Sequence, residues 1–179
     1  MDEERIKKLV RELLIEIGED PTREGLARTP ERIADAYREI FSGYDSNSEL
    51  SVQFSEDSEV VVVRDIQFYS MCEHHMLPFF GEVSIGYIPN DTIIGISKLA
   101  RTVEYYSKSL NTQEYFTDNI ANYLQDKLNP LGIGILVNGR HLCQEMRGVK
   151  KQGEMVTSCL KGNFLKDIKV KEEFIKICL

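Results

Sequence analysis

Every histidine in this chain lies within three residues of a cysteine. There are three, placed in Cys72-Glu73-His74-His75 and in His141-Leu142-Cys143, and none is left over elsewhere. Chance rarely concentrates a scarce residue in this way. If the two clusters act together, the fold must bring two distant segments to one point. Cys72 and His75 are three apart, a spacing that converges on one ion in a turn or the first turn of a helix. His141 and Cys143 are two apart in a segment that reads as extended, which predicts that both point to one face of a strand.

Four sulfur or imidazole ligands would close a structural zinc site. Three would leave a position open for water, which zinc acidifies to a pKa of roughly 7. The three-ligand reading is favoured, with Cys72, His75 and Cys143 on the metal. His74 and His141 then stand beside it as acid–base groups, because imidazole titrates near neutrality. Two other readings stay open: a closed structural site that includes His141, and buried cysteines with incidental histidines. Cys159 and Cys178 have no histidine neighbours and read as apolar packing residues.

The chain of 179 residues is long enough for one sizeable core and short for two independent domains. Apolar residues make up 42% and charged residues 28%, as in an ordinary soluble protein, and no apolar run is long enough to span a bilayer. The opening segment MDEERIKKLVRELLIEIGED is charged throughout and is no signal peptide. A cytoplasmic location is therefore expected, where cysteines serve as ligands, nucleophiles or buried groups more often than as disulfides. A formal charge of -7 argues against non-specific nucleic-acid binding but allows a local basic cluster to hold a small anion.

Apolar periodicity predicts a helix over residues 3–17 (Ile6, Leu9, Val10, Leu13, Leu14, Ile17). A second should start at Thr29 as N-cap with Pro30 at the first position, and end at Gly43. Polar residues 45–58 follow, so residues 1–57 are read as an N-terminal helical segment and 58–179 as the catalytic domain. Strands are expected at 60–69, 79–88, 133–146 and 155–164, helices at 97–110 and 113–128, and a short helix at 170–177. A hairpin, two helices and another hairpin make an α+β fold, an antiparallel sheet with helices on one face.

Gly95-Ile96-Ser97-Lys98 opens the third long helix, with Ser97 as the expected N-cap. Lys98 and Arg101 share a helical face away from the apolar stripe and could grip a polyphosphate, although such pairs are usually just solvated. Arg147 follows the second cluster closely enough to reach the same cavity, while Lys150 and Lys151 read as a solvated turn. Gln113-Glu114 opens the fourth helix, where a carboxylate is stabilised by the macrodipole whatever else it does. Functionally, a carboxylate accepts the two adjacent donors of guanine in a fork.

Taken in order, FYSMCEHHMLPFFGEVSIGYIP, IGISKLAR, TQE, HLCQEMRGV and VTS closely resemble GTP cyclohydrolase I, and EDPTREGLARTPERIADAYREIFSGY resembles that family's helical segment. The resemblance runs from about residue 18 to 164, and the ordered set is specific where no single member would be. It implies the tunnelling fold, in which sheets from several subunits close into a barrel, and a homodecamer of two stacked pentamers with sites at subunit interfaces. It implies that GTP and water give 7,8-dihydroneopterin triphosphate and formate, the first step of pterin and tetrahydrofolate synthesis. By the same resemblance Cys72, His75 and Cys143 would bind zinc, whose water would attack C8 of the purine. His141 would protonate the opening ring and His74 would assist. Glu114 with Gln113 would hold guanine, and Ser97, Lys98, Arg101 and Arg147 the ribose and triphosphate.

Two competitors remain at this level. A nitrile-reducing enzyme of queuosine synthesis shares the fold but relies on a catalytic cysteine and nicotinamide, and the paired Cys-x-x-His and His-x-Cys elements argue against it. A zinc-stabilised module that binds nucleic acid is disfavoured by the acidic charge.

Overall fold

In a computed structural model that describes residues 1–45, 53–54 and 59–178, the chain is a mixed α+β fold built around one five-stranded sheet. The N-terminal helices are α1 (Glu3–Glu16) and α2 (Thr29–Ile40). The Asp2 carboxylate accepts from Arg5 N–H at 3.0 Å and so caps α1. Val10 and Leu14 of α1 and Ala34 of α2 are buried, while Leu9, Leu13 and Ile17 stay exposed. The apolar stripe that predicts α1 is therefore only half covered by this chain. Thr29 lies inside α2 and the N-cap position falls to Arg28, because Pro30 sits within the first turn and no side chain caps it. The boundary expected at residue 57 lies outside the described residues.

The remaining elements are β1 (Gln53–Phe54), β2 (Val61–Cys72), β3 (Pro78–Ile88), β4 (Ile93–Ile94), α3 (Ile96–Ser107), β5 (Leu110–Asn111), α4 (Gln113–Leu128), β6 (Gly132–His141), α5 (Leu142–Glu145), β7 (Glu154–Gly162), α6 (Asn163–Lys166) and α7 (Ile168–Cys178). The order in the sheet is β5-β2-β3-β6-β7. The pairs β2–β3, β3–β6 and β6–β7 are antiparallel, as expected. The two-residue β5 departs from this: it runs parallel to the end of β2, pairing Met71 with Leu110 and Cys72 with Asn111. A bulge between Val63 and Ile66, with Asp65 at φ 60, lets one continuous strand replace the two short runs seen in the sequence.

Period-two alternation sends Val83, Ile85 and Tyr87 of β3 and Ile133, Ile135 and Val137 of β6 to one face. There they pack against Leu99 and Val103 of α3 and against Phe116, Ile120, Ala121 and Leu124 of α4. The helices are not confined to that face. Phe174 of α7 and Phe164 of α6 are buried over Gly86, Gly132 and Gly134 at one end of the opposite face, where only glycines leave room for the rings. Ser97 is not the cap of α3. The helix starts one residue earlier with Gly95 as N-cap and no side-chain cap bond. α4 does carry its cap, with Thr112 Oγ1 accepting from Tyr115 N–H at 3.1 Å.

Candidate metal centre

Cys72 is the last residue of β2, and the chain reverses immediately beyond it. Cys72 N–H donates to Leu77 O at 2.9 Å and Met76 N–H donates to Cys72 O at 2.8 Å, with Met76 in the left-handed region at φ 50. This tight reversal folds the histidines back over the cysteine. The Nδ1 atoms of His74 and His75 each lie 4.0 Å from Cys72 Sγ. β5 braces the turn from the side, since Glu73 N–H donates to Asn111 O at 3.0 Å and the buried Asn111 amide donates to Ser70 Oγ and Tyr106 O.

The second cluster arrives from β6. His141 is its last paired residue, opposite Phe79. Beyond it the chain does not stay extended, and the expected same-strand geometry of His141 and Cys143 does not form. By the register of β3, residue 142 would face Pro78, which has no N–H to offer, and on the other side β7 begins at Glu154, opposite Arg140, and has ended. The chain turns instead into the single turn α5, which carries Cys143.

The ligand atoms of Cys72, His75 and Cys143 all lie within 4.8 Å of one another. Tetrahedral zinc, with bonds of about 2.3 Å to sulfur and 2.0–2.1 Å to nitrogen, needs donors roughly 3.5–3.8 Å apart. Small side-chain movements close that difference, so the donor set fits such an ion. The electrostatics point the same way. Burial pushes the Cys143 thiol up, and the neighbouring Cys72 pushes it further, because two thiolates cannot share this corner without a cation.

His141 is held from behind. Its ring stacks on Phe79 with centroids 4.8 Å apart and planes 5° from parallel. Its Nε2 lies 2.9 Å from Gln113 Oε1. Gln113 is 1% exposed, and its amide nitrogen donates to Val137 O at 3.1 Å, Met155 O at 2.7 Å and Thr157 Oγ1 at 3.2 Å. Carbonyl oxygens only accept, so the amide nitrogen must face them and Oε1 must face His141. The bridging proton therefore belongs to His141 Nε2, which leaves Nδ1 as the atom free to exchange one. Burial lowers the pKa of His141, while the charges of Glu114 and Glu145 act in the opposite direction.

Eight of the eleven residues expected from sequence thus gather here. Cys72, His74, His75 and Cys143 cluster around one point, and the His141–Gln113 pair stands beside them, His141 and Cys143 lining one cavity. Exposed Glu114 acts electrostatically on His141, and exposed Arg147 does so on Cys143. Ser97, Lys98 and Arg101 are not brought in. α3 begins beside β4, where Ile94 N–H donates to the Tyr87 hydroxyl near the far end of β3, and runs back toward the metal end. Lys98 is about 12 Å up the axis from Tyr106, which touches Asn111. The sequence reading missed Gln113 as the holder of His141. It also missed Thr157, which accepts from Gln113 and lies 2.7 Å from Thr117 Oγ1. Their signal was weak: polar residues at positions where the alternation calls for apolar ones.

Comparison with known proteins gives one consistent result. The family model described as GTP cyclohydrolase I matches residues 6–179. GTP cyclohydrolase 1 of Aquifex aeolicus (strain VF5) is 49% identical over 178 residues, covering 99% of this chain and 97% of that protein. GTP cyclohydrolase 1 of Hydrogenobaculum sp. (strain Y04AAS1) is 47% identical over 178 residues, covering 99% and 98%. The protein of the same name from Leptospira biflexa is 46% identical over 177 residues, covering 96% and 97%.

Proposed function

This chain belongs to the GTP cyclohydrolase I family, and we propose that it converts GTP and water to 7,8-dihydroneopterin triphosphate and formate at the centre formed by Cys72, His75, Cys143 and His141. The observation that carries the reading is the convergence of two cysteines and a histidine from segments about 70 residues apart in sequence, at one end of one sheet, beside a histidine whose tautomer is fixed. Zinc is the ion that the donor set suits, and it would supply a Lewis acid that brings the pKa of a water at its open position to roughly 7.

The chain's own residues have separable tasks. His141, oriented by Gln113 and Phe79, keeps its Nε2 proton on Gln113, takes up a second proton at Nδ1 and passes that one to the ring nitrogen as the imidazole portion of guanine opens. His74, exposed and 3.7 Å from Glu73, relays protons at the mouth of the site. Glu114 accepts the two adjacent donors of guanine and so selects the base. Gln113 contributes by holding His141, since its side-chain amide is spent inside the fold. Arg147 meets the anionic end of the substrate.

Ser97, Lys98 and Arg101 hold the ribose and triphosphate of a GTP seated on a neighbouring copy. Within one chain they lie away from the metal end, and the exposed apolar stripe of α1 supports an assembly. The α+β layout is consistent with subunits of a tunnelling fold closing into a barrel, and the state proposed is a decamer of two pentamers. No helix among the described residues is long and apolar enough to cross a membrane, and the proposed location is the cytoplasm.

The deciding experiment incubates the zinc-loaded protein with GTP and measures formate together with pterin fluorescence after oxidation. The chain has no tryptophan, which keeps its own fluorescence low. Equal amounts of the two products are expected. Formate without pterin would mean that the ring opens and does not reclose, and neither product with zinc bound would sink the reading.

A further inference from the structure

Cys143 is the one proposed ligand that lies beyond the second cluster's strand, past the last paired residue of β6. It sits in α5, a single turn of four residues with no side-chain N-cap, whose C-cap Met146 N–H donates to Leu142 O at 3.0 Å. A lone turn has little stability of its own. Its other polar ties, Lys150 N–H to Gln144 O and the Gln144 amide to Lys151 O, lead only into residues 146–153, which are all exposed. They attach α5 to a surface loop and not to the sheet.

Besides the contact of Cys143 itself with Cys72 and the core, one ion pair ties it to the sheet. Arg140, next to last in β6, grips Glu145 at the end of α5 in a two-bond fork, with Nε to Oε1 at 3.0 Å and Nη2 to Oε2 at 2.7 Å. The guanidinium lies 5.6 Å from the centre of the Phe80 ring, which holds it in place from the next strand. The Glu145 side chain is only 13% exposed beneath Arg140, whose hydrogen bonds hold its carboxyl below the usual carboxylate range. The fork spans positions 140 and 145 and brackets Cys143. It closes the unpaired end of β6 into a loop whose middle carries the thiol. A bidentate arginine–carboxylate pair fixes orientation as well as distance.

We propose that Arg140 and Glu145 are positioning residues for Cys143, holding its thiol within reach of Cys72 and His75. The proposal rests on the reading of Cys72, His75 and Cys143 as a zinc site, and the groups around such ligands commonly tune affinity by roughly 10–100-fold.

The test measures zinc affinity by competition with a chromogenic chelator, and the thiolate-to-metal absorption of the cobalt-substituted protein, in wild type, Arg140→Ala, Glu145→Ala, Glu145→Gln, the double alanine variant and the exchanged pair Arg140→Glu/Glu145→Arg. Circular dichroism checks that each variant is folded. The expected result is a loss of zinc affinity of about tenfold or more in each single alanine variant, with weakened thiolate absorption. The double variant should be no worse than either single one, and the exchanged pair should recover most of the affinity. Glu145→Gln, which keeps the shape and loses the charge, should fall between wild type and alanine. Affinities within twofold of wild type in folded variants would overturn the proposal, as would full additivity of the two alanine changes. Failure of the wild type itself to bind zinc would defeat the underlying metal reading instead, so the two failures are distinguishable.

Discussion

Gln113 Oε1 and His141 Nε2 lie 2.9 Å apart, and the direction of that hydrogen bond is imposed by backbone groups of two neighbouring strands. Two backbone carbonyls, Val137 O and Met155 O, hold the amide nitrogen, so only the oxygen is left for the imidazole. A catalytic tautomer is thus set by the register of β6 and β7.

Gln113→Ala should therefore do two things at once. It leaves buried carbonyls and a ring nitrogen without partners, costing about 1–3 kcal/mol of stability. It also frees the His141 ring, which should lower turnover about tenfold or more while zinc stays bound. Denaturant unfolding, zinc content and formate release on one preparation check all three. Unchanged turnover would remove Gln113 from the catalytic account.

Glu114 is the proposed base reader, and its loss should be felt by the base alone. Two charge-assisted hydrogen bonds, each worth about 1.5–3 kcal/mol, predict that Glu114→Ala loses about 100-fold or more in kcat/KM for GTP with zinc retained. Inosine triphosphate, which lacks the exocyclic amine, separates recognition from damage. Wild type should prefer GTP strongly, and the variant should lose most of that preference.

The fold was legible where periodicity is long and was lost where pairing decides. The stripes Leu99–Val103 and Phe116–Ile120–Leu124 identify α3 and α4 because each repeats over several turns. The alternation of β3 and β6 is as plain. What the sequence hides is where a strand runs out of neighbours. Residues 142–145 have strand-forming company, yet the ladder stops because β3 opens on Pro78 and β7 opens on Glu154. β5 is two residues long and could not be read from any period. That Cys72, His75 and Cys143 come together as a group able to hold an ion was legible from the clustering of scarce residues, while the strand geometry expected for His141 and Cys143 was not borne out. The distance of Lys98 and Arg101 from that group was not legible, because a linear motif says nothing about which end of a helix faces which end of a sheet.

Gly81 shows how closely β3 and β6 approach. A Cβ there would lie 1.9 Å from Asn138 O and 2.9 Å from Gly139 Cα, both backbone of the next strand and unable to move aside cheaply. Gly81→Ala should destabilise the protein by about 2–3 kcal/mol, lowering its unfolding temperature by about 5–10 °C. Gly95→Ala, with nothing within 4 Å, is the control and should change far less. Thermal unfolding of both reads the difference.

Cys159 should behave as a buried thiol and not as a reactive one. Burial, followed by the Asp118 carboxylate beside it, pushes its pKa up to about 11. An unfolded thiol ionises near about 8.5, so between that pH and about 11 the unfolded state has released a proton that the folded state keeps. Stability is whole below that window and falls as pH rises through it. Iodoacetamide labelling at about pH 8 should modify Cys159 slowly in the native protein and quickly in urea, and Cys159→Ser should flatten the alkaline fall in stability. Rapid native labelling would contradict the burial assigned to it.

Chelation separates a catalytic ion from one that holds the fold. The core formed by β3, β6, α3 and α4 (Val83, Ile85, Phe116, Ile120, Leu124, Ile135) meets the metal corner only at its edge, through Cys72, Cys143 and the stack of Phe79 on His141. The ligands sit at one end of the sheet, on the last residue of β2, on the turn after it and on α5. Removing zinc with a strong chelator should therefore abolish formate release while far-UV circular dichroism keeps its helical signal, and returning zinc should restore activity. A structural site would give the opposite pair, loss of secondary structure together with loss of activity, because binding free energy would then be folding free energy. That outcome would move the ion from the chemistry to the scaffold and would require a different group to activate water.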